Sequence, residues 1–150
     1  MHSKLYICSN NLKIYDNEKV TVYPWFVLCS MGIDAQNVYD SYNSTCGYIY
    51  SDGRVCNSSG STIGRFYGDR IANSSGSTTG YIRGNDIRDS RSSFVGSIRG
   101  NYVYNSYNSR VGEIRDDGSI YDSRNSFFGK AKGVKKEWVA VFYFFPQLLR

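Results

Sequence analysis

The chain has 150 residues and is 41% hydrophobic, long and apolar enough for one buried core, which excludes disorder over its whole length. Its net charge of +5 is spread as about 0 over residues 1–37, +3 over 38–133 and +2 over 134–150, and basic residues alternate with Asp, so it reads as a solvated surface; a nucleic-acid surface would require basic clustering. No run of about 20 apolar residues is present to cross a membrane as a helix, and a single His (His2) with no CxxC pair argues against a zinc site.

The N-terminal stretch lacks a long apolar core of the secretory kind. The four cysteines, Cys8, Cys29, Cys46 and Cys56, read as free thiols, and together these features favour a cytoplasmic location. Residues 1–37 read as a divergent lead into the rest of the fold. Leu12–Tyr15 and Val20–Tyr23 flank Asp16–Lys19 as a hairpin, and Trp25–Cys29, after Pro24, reads as a buried strand. Met31-Gly32-Ile33 echoes a Gly-x-Ile element of the segment that follows.

Residues 38–133 are an internal repeat of six copies with a period of 16 or 17 residues. Each copy begins with Val or Ile (Val38, Val55, Ile71, Ile87, Val103, Ile120) and continues with Asp or Asn and then two Ser three residues apart. Each then has a Gly (Gly47, Gly64, Gly80, Gly96, Gly112, Gly129), followed two residues later by Ile49, Phe66, Ile82, Ile98, Ile114 or Ala131.

Two turn signals recur in each copy. The first lies between the two Ser and carries Asn or Gly in five of six copies (Asn43, Gly60, Gly76, Asn108, Asn125), which predicts a two-residue type I′ turn. The second is Gly68-Asp69, Gly84-Asn85 or Gly100-Asn101, which predicts type II′; Ser51–Gly53 and Asp116–Gly118 predict three-residue loops closed by a Gly bulge. With two short strands per copy, Val38 faces Gly47, Tyr39 faces Cys46, and Phe66 faces Ile71. The Val/Ile, Gly and Ile/Phe rows then share one face, and the Gly stripe lets the sheet curl or another backbone come close. In this register Cys46 and Cys56 are diagonal neighbours, too far apart for an unstrained disulfide. The other face collects Tyr39, Tyr48, Tyr50, Tyr67, Tyr81, Arg83, Arg99, Tyr104, Arg115 and Tyr121.

A flat open meander of up to twelve strands would expose its edges, so closure is expected: an all-β, pseudo-symmetric meander of hairpins forming a barrel-like or radial flower, with the Val/Ile/Gly face inward. A parallel β-solenoid with one copy per coil is the alternative. The chain after residue 133 is basic at Lys135 and Lys136, then apolar over Trp138–Phe145, and Pro146 ends the run. Val139, Val141 and the aromatics favour a strand there, with a short helix as the alternative. The segment is expected to pack against or plug the repeat core; contact with a partner or a membrane surface is the other reading. The whole is read as one domain, 1–150.

The reiterated D/N-S-S-G-S-x-x-G-x-I-x-G-N units, clearest from Val55 to Asn101, and the apolar end after a basic segment resemble the 4-fold β-flower proteins. That resemblance covers about two-thirds of the chain. It implies an all-β fold of pseudo-symmetric hairpins, and it implies neither catalytic residues nor a ligand.

Chemistry in the sequence is sparse. The many Ser have no His within reach, and their spacing beside turns suits hydroxyls bonding local backbone. Asp40, Asp89 and Asp122 occupy a repeat position that Asn57, Asn73 and Asn105 fill equally, which fits a turn-flanking role better than a catalytic acid. No phosphate-binding loop and no regular calcium repeat is present. No enzyme and no cofactor is expected. Two functions remain. The first is a structural or protein-interaction module, with a protein as the partner and self-association as a further route. The second is a module binding single-stranded nucleic acid or glycan through Tyr48, Tyr50, Tyr67, Tyr81, Arg83, Arg99, Tyr104 and Arg115.

Overall fold

The computed structural model describes residues 34–150 in full and, before them, the backbone of three strands. The chain divides into two compact units, 1–34 and 35–150. In the first, β1 (Leu5–Cys8), β2 (Asn11–Asp16) and β3 (Lys19–Val22) form an antiparallel sheet. The hairpin expected around Asp16–Lys19 is there, with Asp16 paired to Lys19. The strand expected at Trp25–Cys29 and the echo at Met31–Ile33 lie outside the described residues.

The second unit is a closed twelve-stranded antiparallel barrel. Its strands are β4 (Ala35–Asp40), β5 (Thr45–Tyr50), β6 (Arg54–Asn57), β7 (Thr62–Tyr67), β8 (Arg70–Asn73) and β9 (Thr78–Arg83), followed by β10 (Asp86–Asp89), β11 (Phe94–Arg99), β12 (Tyr102–Asn105), β13 (Arg110–Ile114), β14 (Ser119–Asp122) and β15 (Phe127–Lys130). Each strand pairs with its sequence neighbour, and β15 returns to β4 through Gly129–Asp40 and Lys130–Tyr39. Antiparallel pairing throughout rules out the solenoid. Closure removes both edges of the sheet, which a meander of this length would otherwise leave unpaired.

The pairings Val38–Gly47 and Phe66–Ile71 are present. The Val/Ile row is fully buried in all six copies, and the Gly row is buried beside it. The second turn also has the expected form: Gly68, Gly84 and Gly100 have φ of 62°, 60° and 63°, and the residue after each does not have positive φ, as type II′ requires.

The first turn differs from expectation. Asn43 donates its N–H to Asp40 O, and Asp40 donates to Ser44 O, so the loop is a type I turn of three residues, with Asn43 left-handed at φ 61°. The Asp or Asn at the base fixes this form: in every copy its Oδ1 accepts the N–H groups two and four residues on, as Asp40 does from Tyr42 and Ser44. Asp and Asn do this alike, which explains their exchange. The second Ser of each copy therefore bonds through its backbone, and the hydroxyls of Ser59 and Ser75 go to Asn57 and Asn73. The longer loop shifts pairing by one residue, and a bulge restores it: Tyr39 pairs with Thr45, not Cys46, and Cys46 is the extra residue. Ile63, Thr79, Val95, Val111 and Phe128 are its counterparts. Freed from the alternation, Cys46, Ile63, Val95 and Val111 turn inward against the core, so Cys46 and Cys56 do not share a face. Both are free thiols.

The C-terminal segment fills the barrel. It is a helix, α1 (Lys136–Phe144), and a 3-10 turn over Pro146–Leu149, not the strand favoured by Val139, Val141 and the aromatics. Inside a closed barrel no strand edge remains to pair with, so a buried segment must satisfy its own backbone, which a helix does. Trp138, Val139, Ala140 and Val141 are all buried, as in a helix surrounded by core. Trp138 stacks on Phe66 with centroids 4.9 Å apart. Lys136 Nζ anchors the helix start at one barrel end, donating to Asn101 Oδ1 and Asp116 Oδ1.

From Phe142 onward the segment circles the wall. A Cβ on Gly47 would meet Phe142, on Gly129 Tyr143, on Gly112 Phe144, on Gly96 Phe145, on Gly80 Leu148 and on Gly64 Leu149. Each copy thus receives one residue of the segment, in the reverse of chain order. The last turn of α1 supplies the first three of these contacts, Phe142 to Phe144, and the 3-10 turn that follows Phe145 supplies the last two, Leu148 and Leu149.

Candidate functional site

With the interior occupied, the groups left to meet other molecules lie at the barrel ends and on the outer wall. At the end where α1 starts, Trp138 and Lys135 separate two clefts. One, about 230 Å³, is lined by Gln36, Tyr50, Ser51 and Val134; the other, about 300 Å³, by Asp69, Ile82, Gly84 and Glu137. Lys135 Nζ lies 5.0 Å from the Trp138 ring centre. Among the described residues no group of His, Cys, Asp and Glu could hold a metal ion.

At the opposite end the first-turn loops form a rim. Tyr42 and Tyr107 stand there 88% and 87% exposed. Inside this rim lie Cys46, whose Sγ donates to Val38 O, and Tyr143. The Tyr143 hydroxyl donates to Tyr39 O at 2.6 Å, and burial raises its pKa well above the usual tyrosine value, with the nearby Cys46 adding to the effect. Burial likewise raises the Cys46 thiol, with Asp40 next.

Several of the tyrosines and arginines expected on the outer wall meet there. Guanidinium groups stack on rings: Arg54 on Tyr50 at 4.1 Å, Arg83 on Tyr81 at 5.4 Å, Arg99 on Tyr104 at 4.9 Å and Arg115 on Tyr121 at 4.0 Å. Tyr67 lies between Arg65 at 5.4 Å and Arg70 at 4.7 Å. Of the eight residues picked from the sequence, Tyr81 with Arg83 and Tyr104 with Arg99 are brought together. Tyr48 lies across from Cys56 and has no stacked arginine. The eight are spread over strands from β5 to β13 and its following turn, around much of a closed barrel, so they do not make one patch.

Sequence reasoning missed Arg54, Arg65 and Arg70. Arg54 and Arg65 are direct cross-strand partners, an arrangement that costs stability because like charges face each other. Asp52 lies beside them: its carboxylate accepts the Arg54 N–H and pairs with Arg65, and that N–H first, then Arg65, holds it below the usual carboxylate range. Arg70 pairs across from Tyr67 on one side and Tyr81 on the other, and Tyr81 faces Arg88. The signal was available in the expected register, which sets Arg54 opposite Arg65 once Val55 is placed opposite Gly64.

Residues 35–146 match the family described as 5-fold beta-flower protein. No curated protein and no solved structure matches the chain. The β-flower kind of fold stands, and the matching family is the 5-fold and not the 4-fold one, while the ring of this chain is built of six hairpins.

Proposed function

The chain belongs to the 5-fold beta-flower protein family, and we propose that it works as a non-catalytic interaction module acting from the outside of its barrel. One observation carries this reading: the chain's own C-terminal segment meets all six glycines of the inner ring, leaving the lumen no room for a ligand. Small barrels of this kind either fill their interior with side chains or hold a ligand there, and this one is filled. What remains is a wall whose Tyr and Arg are already held in stacked pairs. Tyr and Arg are the residue types most enriched where protein surfaces bind, and pre-arranged side chains lose less freedom on binding.

Hydroxyl-radical footprinting of the full chain, alone and in extract of the cells that make it, tests the reading. Protection is expected on outer-wall residues such as Tyr67 and Tyr102, which are 44% and 41% exposed in the free protein. Protection confined to the clefts beside Trp138 would instead mark a small-molecule site and overturn the proposal.

A further inference from the structure

The outer wall is not neutralised evenly. On β13 and the turn after it, Glu113 sits between Arg110 and Arg115, accepting from each. On β10, Arg88 pairs with Asp86. Across β6 to β9 the balance is different. Arg54, Arg65, Arg70 and Arg83 share this sector, and among the described residues only Arg65 has a carboxylate, that of Asp52. Arg54 and Arg65 face each other, and the Nε–H of each is buried without an acceptor. Nothing in the packing of the barrel calls for this. The corresponding pairs on the other copies are Asn37–Tyr48, Arg70–Tyr81, Asp86–Ser97, Tyr102–Glu113 and Ser119–Lys130, none of them of like charge.

We propose that the outer face of β6–β9 binds the phosphate backbone of single-stranded nucleic acid, with Arg54, Arg65 and Arg70 on phosphate oxygens. This rests on the interaction-module reading and names its partner. Contact with the Tyr50 and Tyr67 rings holds the guanidinium groups of Arg54, Arg65 and Arg70 in place; a guanidinium held in this way can match a phosphate with two parallel hydrogen bonds. An anion placed between Arg54 and Arg65, held by their terminal guanidinium nitrogens, offsets their repulsion. The wall of a barrel is convex, so a rigid duplex touches it along a line only, whereas a flexible strand can follow it. The ring faces of Tyr67 are covered by arginine, so the contact is to backbone, and little dependence on base sequence follows.

The test is fluorescence anisotropy with a labelled oligothymidylate of about 20 nucleotides and the full chain, titrated at low and at physiological salt. Binding is expected at low salt, weakening with salt by about 0.7 log units per log unit for each phosphate contact. The double variant Arg54→Ser/Arg70→Ser is expected to weaken binding about 10-fold or more and to flatten that slope, while Arg54→Ser alone melts no lower than wild type because a like-charge pair is gone. Arg110→Ser/Arg115→Ser, on the neutralised sector, is expected to change binding less than about 2-fold. Absent binding by wild type, equal losses from the two double variants, or equal competition by a polyglutamate peptide would each overturn the assignment. The footprint separates this failure from that of the broader reading. Wall protection that survives nuclease and is lost to protease leaves an interaction module with a protein partner, and protection by neither kind of extract removes both.

Discussion

The inner and outer faces of the same twelve strands follow different rules. Inward, the six copies repeat one another: Val or Ile, then Gly, then in five copies Ile or Phe, with one C-terminal residue set against each Gly. Outward, the same strands carry Tyr50 and Arg54 in one place, Ala72 in another and Glu113 in a third. Closure of the ring accounts for the inner pattern, because every hairpin must curve and leave the same room. It places no such demand on the outer pattern. Departures from repetition on the inside are therefore fitted to the fold, as with the unsymmetrical segment 136–149, whereas departures on the outside are where partner recognition can be built.

The comparison is broken most sharply at the inner ring. A Cβ on Gly96 would collide with the Phe145 ring and with Tyr104 O, the latter being backbone that cannot step aside. Gly96→Val is expected to cost about 3 kcal/mol or more and to lower the melting temperature accordingly. Gly84→Ala, at a turn with open space around it and φ of 60°, should lose only about 1 kcal/mol of backbone strain. Thermal melts of the two proteins check the contrast. Equal melting temperatures would mean that the ring is not closed on the segment.

A smaller effect probes the same inner surface through pH. Tyr143 has its pKa raised above its ordinary 10.0, by burial first. The folded protein therefore keeps a proton that the unfolded chain releases above about pH 10, so unfolding gives up a proton and higher pH favours it. The contribution is complete below pH 10 and declines as pH rises past it. Chemical denaturation between pH 8 and 11 should show stability falling at the alkaline end, and Tyr143→Phe should remove part of that slope. The variant also loses the bond to Tyr39 O, about 1 kcal/mol at neutral pH. An unchanged alkaline slope in Tyr143→Phe would place the tyrosine in water.

Much of the inner face could be read from the sequence because its pairing repeats. Val38 against Gly47 and Phe66 against Ile71 follow from the spacing alone. The first turn could not, because two departures cancel: a loop longer by one residue and a bulge at Cys46 together restore the same spacing. The fate of Trp138–Phe145 was hidden for another reason. An apolar run of that length has no period to separate helix from strand, and the choice is made by a ring that leaves no edge to pair with. On the outer face, alternation alone put Tyr81, Arg83, Arg99 and Tyr104 on one surface. It could not say which were neighbours around a barrel, so a set chosen by residue type was spread from β5 to β13 while the arginine pair Arg54–Arg65 was passed over.

The smallest test lies where the two faces meet, at the first turn. The left-handed residue of that loop is Asn or Gly in five copies and Ser92 in the fourth, where φ is 66°. Asn holds this conformation more readily than Ser, since its side chain bonds locally. Ser92→Asn should therefore raise stability by several tenths of a kcal/mol, and Asn108→Ser, at the equivalent position with φ of 60°, should lower it by about as much. Ser92 is exposed, and the Arg88 guanidinium donates to its backbone oxygen, not to its hydroxyl. Denaturant melts of the two variants should thus move in opposite directions. If both fall, something other than backbone conformation holds Ser92, and the fourth loop would be a departure on the outside of the kind that marks recognition.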